Sequence, residues 1–343
     1  MKWSELNFEE KQTVLLNARK RVKFPQYIIE KDWWLVQTLR LVSQMDIAKH
    51  IVFKGGTSLS KAWGLIDRFS EDIDLAINRE FFGFSGDISR TQVGKLKDAS
   101  SKYISNDFLF ALQKSFIDAG IDDVRVSVID EKSPDDDPVT IEVAYPTVTE
   151  YSTYVQPRVL LEIGSRSLME PATLRSFRSM IGQEFPNFPF ADDNIHIRCV
   201  NPERTFLEKL FLLHEEHQRP KEKMKIKGKS RHFYDIYRIA QTAHADKAIA
   251  DKELYKSIVA HRERFSKLGG VDYTSHFPPN LNPIPPADLM SEWERDYLEL
   301  QGQMIAGENT KFETVLNEVK RVCEKINGLE INLTSNDNKN GTI

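Results

Sequence analysis

The sequence predicts an α+β fold, in which a small mixed sheet flanked by helices is followed by a helical C-terminal region. Segments with the two-residue period of strands lie before residue 201, whereas the apolar period after Pro202 is helical. The 343 residues, 40% of them hydrophobic, can bury one substantial core together with a helical subdomain. We therefore expect a first domain at 1–200, a helical domain at 201–330, and a polar, disordered tail at 331–343.

Composition restricts the partners and the compartment. With 47 basic and 51 acidic residues the net charge is −4, so no global field attracts nucleic acid and any RNA site must be a local patch. Two cysteines, Cys199 and Cys323, are too few for a disulfide framework and suit a reducing cytosol. Because we find neither a signal sequence nor an apolar run long enough to cross a bilayer, we expect a cytoplasmic protein without membrane contact.

Two helices are predicted at the N-terminus. Ser4 or Asn7 can cap a first helix that runs to Arg21, and Pro25 ends this pattern. A second helix follows from about 28 to 42. The apolar residues expected in the core are Phe8, Val14, Leu15 and Ala18 in the first helix, and Trp33, Trp34, Leu35, Leu39 and Leu41 in the second.

The segment 51–61 combines a short strand, two glycines and a helix. Residues 51–53, Ile-Val-Phe, are apolar and β-prone, and Gly55-Gly56 allows a sharp turn that a ligand can approach closely. Thr57 or Ser58 can then cap the helix that follows. Free backbone N–H groups and hydroxyls would face the space above the turn, which favours an anionic ligand such as phosphate.

The next strand carries paired carboxylates. In residues 72–77, Asp-Ile-Asp-Leu-Ala-Ile, the alternation places Asp72 and Asp74 on one face and Ile73 and Leu75 on the other. Two neighbouring carboxylates repel each other unless a cation lies between them, and Mg²⁺ commonly binds through one or two carboxylates plus substrate phosphates. Either motif alone is more often a plain turn or a solvated edge, but together they predict a site for a nucleoside triphosphate.

Further strands and helices are predicted up to residue 200. Residues 91–119 have a helical pattern, and strands at 124–129 and 139–144 are joined by a turn whose aspartates, 135–137, we interpret as turn residues. A third informative strand runs over 158–164, where Glu162 is a lone carboxylate in an apolar run. A charge there is costly unless it is paired or ligates a metal, so either an ion pair with Arg158 or Arg166 or a metal-binding role is possible.

The C-terminal region begins with a helix at Pro202. Its apolar stripe contains Phe206, Leu207, Leu210, Phe211 and Leu213, so Glu203, Glu208, Lys209 and Glu216 should lie away from it. A dense basic run follows at 219–231, which is either a phosphate-binding patch or a solvated flexible loop. Closing helices are expected at 287–306 and 310–326.

Two motifs resemble those of a known family. Residues 54–59, Lys-Gly-Gly-Thr-Ser-Leu, followed by 68–75, Arg-Phe-Ser-Glu-Asp-Ile-Asp-Leu, are similar to the signature of the AbiEii/AbiGii toxin family, which includes MenT-like enzymes. This family is a branch of the DNA polymerase β-like nucleotidyltransferase superfamily. The resemblance implies a minimal nucleotidyltransferase fold and the toxin of a bacterial toxin–antitoxin or phage-defence pair. It also implies transfer of nucleotides from an NTP to RNA, with the tRNA 3′ end as target, and a cognate antitoxin encoded beside the toxin.

The resemblance also assigns roles to residues. Asp72, Asp74 and Glu162 would be catalytic and hold Mg²⁺, with Mn²⁺ as the alternative cation. The NTP would bind at Gly55, Gly56, Thr57, Ser58, Arg68 and Ser70. Lys209, in a Glu-Lys-Leu context, and Asp235, in Arg-x-x-x-Asp, match further catalytic positions of the family, although His232 stands where the family often has an aspartate. The residues expected to bind RNA are Lys221, Lys223, Lys225, Lys227, Lys229 and Arg231.

Two other function classes are compatible with the sequence. One is a nucleotidyltransferase that modifies a small molecule or a protein, which weak RNA binding would favour. The other is a pseudo-enzyme that binds nucleotide or an antitoxin without chemistry. The intact carboxylates Asp72 and Asp74 argue against the pseudo-enzyme.

Overall fold

A computed structural model describes residues 2–129, 138–150, 155–266, 268–307 and 310–331. The chain divides into two compact units, Met1–Thr205 with Gly302–Asn309 and Phe206–Gln301 with Thr310–Ile343. All strands of the sheet belong to the first unit, and the described part of the second unit is helical. The α+β prediction is therefore confirmed. The aspartates at 135–137 and residues 332–343 of the predicted tail lie outside the described residues.

The sheet has seven strands in the order β3-β4-β5-β2-β1-β7-β6. Strand β2 pairs in parallel with β5, and β1 pairs in parallel with β7, whereas the remaining pairs are antiparallel. The sheet is thus mixed, as expected. The strands are β1 Ile51–Lys54, β2 Asp72–Ile77, β3 Arg125–Val128, β4 Val139–Ala144, β5 Arg158–Gly164, β6 Ala172–Phe177 and β7 Ile195–Val200.

Six helices accompany the sheet in the described part of the first unit. They are α1 Phe8–Arg19, α2 Gln26–Gln44, α3 Gly55–Lys61, α4 Arg90–Tyr103, α5 Leu109–Asp118 and α6 Met180–Glu184. Asn7 caps α1, since its side chain accepts a hydrogen bond from the Glu10 N–H (3.0 Å) and the Glu10 carboxylate accepts one from the Asn7 N–H (2.9 Å). The prediction that Phe8 is buried was wrong: its side chain is 57% exposed, because this first turn extends past the core that Leu15 and Ala18 reach.

Helix α2 lies in the core. Trp33 packs against Trp3 and Trp34 with ring centroids 5.4 and 4.9 Å apart, and Trp34 stacks on Tyr145 at 4.9 Å. The core assignment of Trp33 and Trp34 is thereby confirmed. Three consecutive charged residues near the start of this helix, at 30–32, are equally buried. Their contacts are described with the site below.

Strand β6 was not predicted from the sequence. It forms one edge of the sheet, pairs only with β7 in the described structure, and exposes half of its side chains. An edge strand of this kind lacks the apolar alternation that marks a half-buried strand, so periodicity gives little signal.

The second unit is formed by helices that follow the sheet in the chain. They are α7 Pro202–Gln218, which begins just before the unit boundary, α8 Arg231–Ala240, α9 Ala243–Ala250, α10 Lys252–Phe265, α11 Met290–Met304, which ends just past a unit boundary, and α12 Phe312–Asn327. Pro202 starts α7 as predicted, whereas α9 and α10 were not predicted. Within the described ranges, no helix has both the length and the apolar content that a membrane span requires.

Helix α7 carries buried charges, and the sequence analysis did not predict their burial. Lys209 and Glu216, which the helical period places away from the apolar stripe, are only 7% and 2% exposed. Opposite charges from later segments cover them: Asp235 of α8 pairs with Lys209, and Lys229 pairs with Glu216. Helical periodicity does not reveal such burial, because the covering residues come from elsewhere in the chain.

Candidate active site

Helix α3 begins directly at the end of β1. Lys54 is the last residue of the strand, and Gly55, with φ of +78°, is the first residue of the helix. The prediction that Thr57 or Ser58 caps this helix was wrong, because both residues already lie within its first turn and are buried. The Thr57 hydroxyl instead donates a hydrogen bond to the Asp72 carbonyl (2.5 Å), which fixes α3 to the start of β2.

Gly55 and the carboxylate of Asp74 are in direct contact. A Cβ atom placed on Gly55 would lie 1.8 Å from Asp74 Oδ2 and 2.7 Å from its Cγ, so the carboxylate or the backbone would have to move to admit a side chain. Lys54 and Asp74 are register partners on the antiparallel strands β1 and β2, which brings the glycine and the carboxylate together. The glycine is required here both by its positive φ and by the acidic side chain that occupies the space.

The second glycine contacts the segment between α3 and β2. A Cβ atom on Gly56 would lie 2.5 Å from Arg68 Nη2 and 2.9 Å from Ser70 Oγ. Arg68 is buried, and its guanidinium donates to the Phe69 carbonyl (3.2 Å). The structure therefore brings together Gly56, Arg68 and Ser70, three of the residues predicted to bind the nucleotide. It does so around the first turn of α3.

The carboxylates of β2 lie on one face of the sheet. Asp72 and Asp74 are half-buried, whereas Ile73 and Leu75 are fully buried on the opposite face, as the alternation predicts. Glu162 of β5 is the register partner of Asp74 on the neighbouring parallel strand. The three carboxylates predicted to hold a metal thus belong to two adjacent strands.

The carboxylates present fit a cation whose remaining ligands come from the substrate. Across the described ranges, no three side chains of histidine, cysteine, aspartate or glutamate are close enough to hold a metal ion by themselves. Two carboxylates, however, are the protein contribution that Mg²⁺ commonly uses together with substrate phosphates, and oxygen ligands also suit Mn²⁺. Asp72 and Asp74 on one face fit this requirement.

Two buried charges of α2 contact the site segments, and the sequence analysis gave them no part in the site. The Lys31 ammonium donates to Glu71 Oε2 (2.7 Å) and to the Gln156 carbonyl (3.3 Å). Asp32 pairs with Lys61 at 2.7 Å and accepts a hydrogen bond from the Met180 N–H (2.6 Å). Burial raises the pKa of the Asp32 carboxyl above its ordinary value, and the Lys61 ammonium opposes this rise. A signal was available: consecutive charges in an apolar helix are costly unless each has a partner.

Lys209 and Asp235 form a buried ion pair in the second unit. Lys209 Nζ of α7 lies 2.9 Å from Asp235 Oδ2 of α8 and 3.3 Å from His232 Nδ1. Asp235 is fully buried. The structure thus pairs the two residues that the family resemblance singles out, while their contact with a nucleotide stays a prediction.

Acidic side chains form hydrogen bonds and ion pairs with the basic run 219–231. The Glu216 carboxylate accepts from the Lys225 N–H (2.5 Å) and pairs with Arg219 and Lys229. The Asp296 carboxylate accepts from the N–H groups of residues 228 and 230, at 2.6 and 2.9 Å. Lys221 pairs with Asp288. The exposed basic residues are Lys221, Lys223, Lys225, Lys227 and Arg231. The backbone contacts do not fit the alternative of a freely flexible loop.

A helix that begins with two glycines beside a strand of paired carboxylates is the arrangement expected of a nucleotidyltransferase. Comparison with family models agrees, because the model described as "Nucleotidyl transferase AbiEii toxin, Type IV TA system" matches residues 39–318. The chain belongs to this AbiEii toxin family. The resemblance found in the sequence and the enzyme class are thereby confirmed.

Two other comparisons add little. No curated protein matches the chain. Among solved structures, the chain is similar to one described as "Terminal uridylyl transferase 4 from Trypanosoma brucei with bound UPU". The identity is 12%, the alignment covers 94% of this chain and 98% of the other, and the TM-score is 0.27. A likeness of this size carries no argument about the function of this chain.

The buried pair in the second unit leads to a stability prediction. Lys209→Met should lower the free energy of unfolding by about 3–5 kcal/mol, because it leaves the Asp235 carboxylate buried without its ammonium partner. Lys221→Met is the matched control, since its pair with Asp288 is exposed to solvent and should contribute little to stability. Urea unfolding of the variants measures the difference. Equal losses for the two substitutions would contradict the importance of the buried pair.

Proposed function

We propose that this toxin uses Mg²⁺ to transfer a nucleotide from an NTP to RNA, with the 3′ end of tRNA as the acceptor. The observation that carries the proposal is the contact between the Gly55 backbone and the Asp74 carboxylate, with Asp72 on the same face of the strand. It supports a site where a phosphate-binding turn meets metal-binding carboxylates. The RNA acceptor is supported by the family resemblance and by the exposed basic residues of the 219–231 run in a chain of net charge −4.

In the proposed reaction, the acceptor hydroxyl attacks the α-phosphorus of the NTP, a new P–O bond forms, and pyrophosphate leaves. Asp72 and Asp74 would hold the cation, and the cation would neutralise phosphate charge and help to align the reacting groups. The triphosphate binds at the first turn of α3, residues 55–58, with Arg68 and Ser70 beside it. Glu162, in register with Asp74, accepts the proton of the hydroxyl.

Two further roles are proposed from the family motifs alone. The Lys209 ammonium would stabilise the charge that develops on the leaving pyrophosphate, an effect worth several kcal/mol where water is excluded. Asp235, at 2.9 Å, orients the lysine. Both assignments follow the family motifs that these residues match. A nucleotide-bound structure with either side chain remote from the triphosphate would contradict them.

The basic run predicts how RNA binding depends on salt. Replacing Lys223, Lys225 and Lys227 together by glutamine should weaken binding of any RNA sequence. It should also reduce the slope of log K against log salt by about 0.7 to 0.9 for each phosphate that is no longer neutralised by a lysine. Fluorescence anisotropy with labelled tRNA, at salt concentrations from about 50 to about 200 mM, measures both quantities.

The matched control for this charge change lies in the first unit. Three exposed lysines of the first unit serve as the control: Lys95, Lys102 and Lys114. Their replacement by glutamine removes the same charge from a different surface. This control should leave the salt slope unchanged. If the two triple variants behave alike, the 219–231 run is not the RNA site.

The proposed acceptor can be tested directly by labelling. The protein is incubated with Mg²⁺, each labelled NTP in turn and total cellular RNA, with the antitoxin absent. Label in tRNA that disappears with Asp74→Ala would support the proposal and identify the nucleotide. Label found only in protein or in small molecules would instead favour the alternative substrate class, and label in no fraction would contradict the proposed transfer.

A further inference from the structure

Helix α2 carries two neighbouring charges that are removed from water. Lys31 is 2% exposed and Asp32 is 0% exposed. Burying either charge alone would cost several kcal/mol, so each depends on the partner that it contacts. These partners are the segments that form the proposed site.

Lys31 connects the starts of two strands. Its ammonium binds Glu71, which directly precedes β2, and the carbonyl of Gln156, two residues before β5. Because β2 and β5 run parallel, both strands begin at the same edge of the sheet, where one ammonium group can contact both. These are the two strands that carry the three proposed catalytic carboxylates.

Asp32 connects α2 to the opposite side of the site. Its carboxylate pairs with Lys61, the last residue of α3, and accepts the N–H of Met180 at the start of α6. Lys61 is itself buried. Helix α3 is only seven residues long, so holding its last residue restricts the position of Gly55, its first. Successive helix residues point about 100° apart, which allows one turn of α2 to reach both sides.

We infer that Lys31 and Asp32 are positioning residues for nucleotidyl transfer. Lys31 fixes the carboxylate strands, Asp32 fixes the glycine-bearing helix, and their adjacency on α2 sets the distance between the two halves of the site. The inference rests on the location of the site proposed above. A misplacement of about 1 Å between reacting groups can cost about 100-fold in rate, so this restraint has a direct effect on catalysis.

The neighbouring residue provides a control for burial alone. Glu30 is 2% exposed, and its carboxylate accepts from the hydroxyls of Thr147 and Thr149 (2.6 and 2.8 Å) and from the Val148 N–H (2.8 Å). These partners lie between β4 and β5 and belong to none of the segments that carry site residues. Glu30→Gln therefore disturbs a buried charge of the same helix without releasing a site segment.

The test compares Lys31→Met, Lys31→Arg, Asp32→Asn and Glu30→Gln in the full chain. Hydrogen–deuterium exchange, which needs no substrate, should be faster at 71–77 and 156–164 in Lys31→Met and at 55–61 in Asp32→Asn. We expect kcat to fall at least about tenfold in these two variants at temperatures where they are fully folded, with a smaller change in KM. Lys31→Arg should restore most of the activity, and Glu30→Gln should change neither exchange at these segments nor kcat.

Three results would overturn the inference. The first is unchanged exchange at the named segments. The second is faster exchange with unchanged kcat in an enzyme that Asp72→Asn inactivates, because the restraint would then be irrelevant to the reaction. The third is full activity of Asp72→Asn itself, which would place the site elsewhere and remove the proposed location together with the inference. Because exchange is measured without substrate, the first result is independent of the proposed function.

Discussion

Asp72→Asn should reduce nucleotidyl transfer at least about 1000-fold while the protein remains folded. The substitution keeps the shape of the side chain and removes one of the two carboxylate charges proposed to hold the cation. Metal-ion stabilisation of the transition state is worth several kcal/mol, and each ~1.4 kcal/mol corresponds to a factor of ten in rate. Transfer of labelled nucleotide in the presence of Mg²⁺ measures the loss, and thermal unfolding verifies the fold.

Glu142 provides a matched control at an equivalent position of the sheet. Leu160 is the register partner of both Asp72 and Glu142, so the two carboxylates occupy equivalent positions on strands β2 and β4. Glu142 pairs with Arg158 at 2.7 Å, and Glu142→Gln should retain transfer activity. Should Asp72→Asn keep full activity in Mg²⁺, the catalytic site must be sought elsewhere in the chain.

Gly55→Ala should reduce transfer activity at least about 100-fold. It should also lower the stability of the protein measurably. The new methyl group would be placed 1.8 Å from Asp74 Oδ2, so the carboxylate or the start of α3 has to move. A shift of about 1 Å in a catalytic group is sufficient for a loss of this size. Single-turnover transfer and chemical denaturation measure the two effects.

Gly64→Ala is a control that separates the effect of the contact with Asp74 from the effect of backbone strain. Gly64 also has a positive φ, of +62°, but no atom lies within 4 Å of a Cβ placed there. The control should therefore lose about 1 kcal/mol of stability from strain alone and retain activity. Equal effects of the two substitutions on transfer would show that the contact with Asp74 is unimportant.

Local sequence patterns predicted those elements whose cause is local. The alternation of β2 gave its bounds, 72–77, and Pro202 marked the start of α7, because strand period and helix initiation depend on adjacent residues. The family resemblance then gave the enzyme class.

The remaining features depend on residues distant in the chain. The close approach of Gly55 to Asp74 results from the pairing of β1 with β2, so the sequence suggested a glycine turn and a capping threonine where the helix in fact begins at once. The burial of Lys209 and Glu216 was not predicted, because their partners, Asp235 and Lys229, come from later segments of the chain. Helices α9 and α10 have mixed patterns that depend on tertiary packing.

The contact between Gly55 and Asp74 also limits how this chain can evolve. A larger residue at 55 needs space that the Asp74 side chain occupies, and aspartate is already the shortest acidic side chain. A shorter residue at 74 would therefore make room only by removing the carboxylate. The two positions thus constrain each other, and a substitution at 74 that restores the space does not restore the charge.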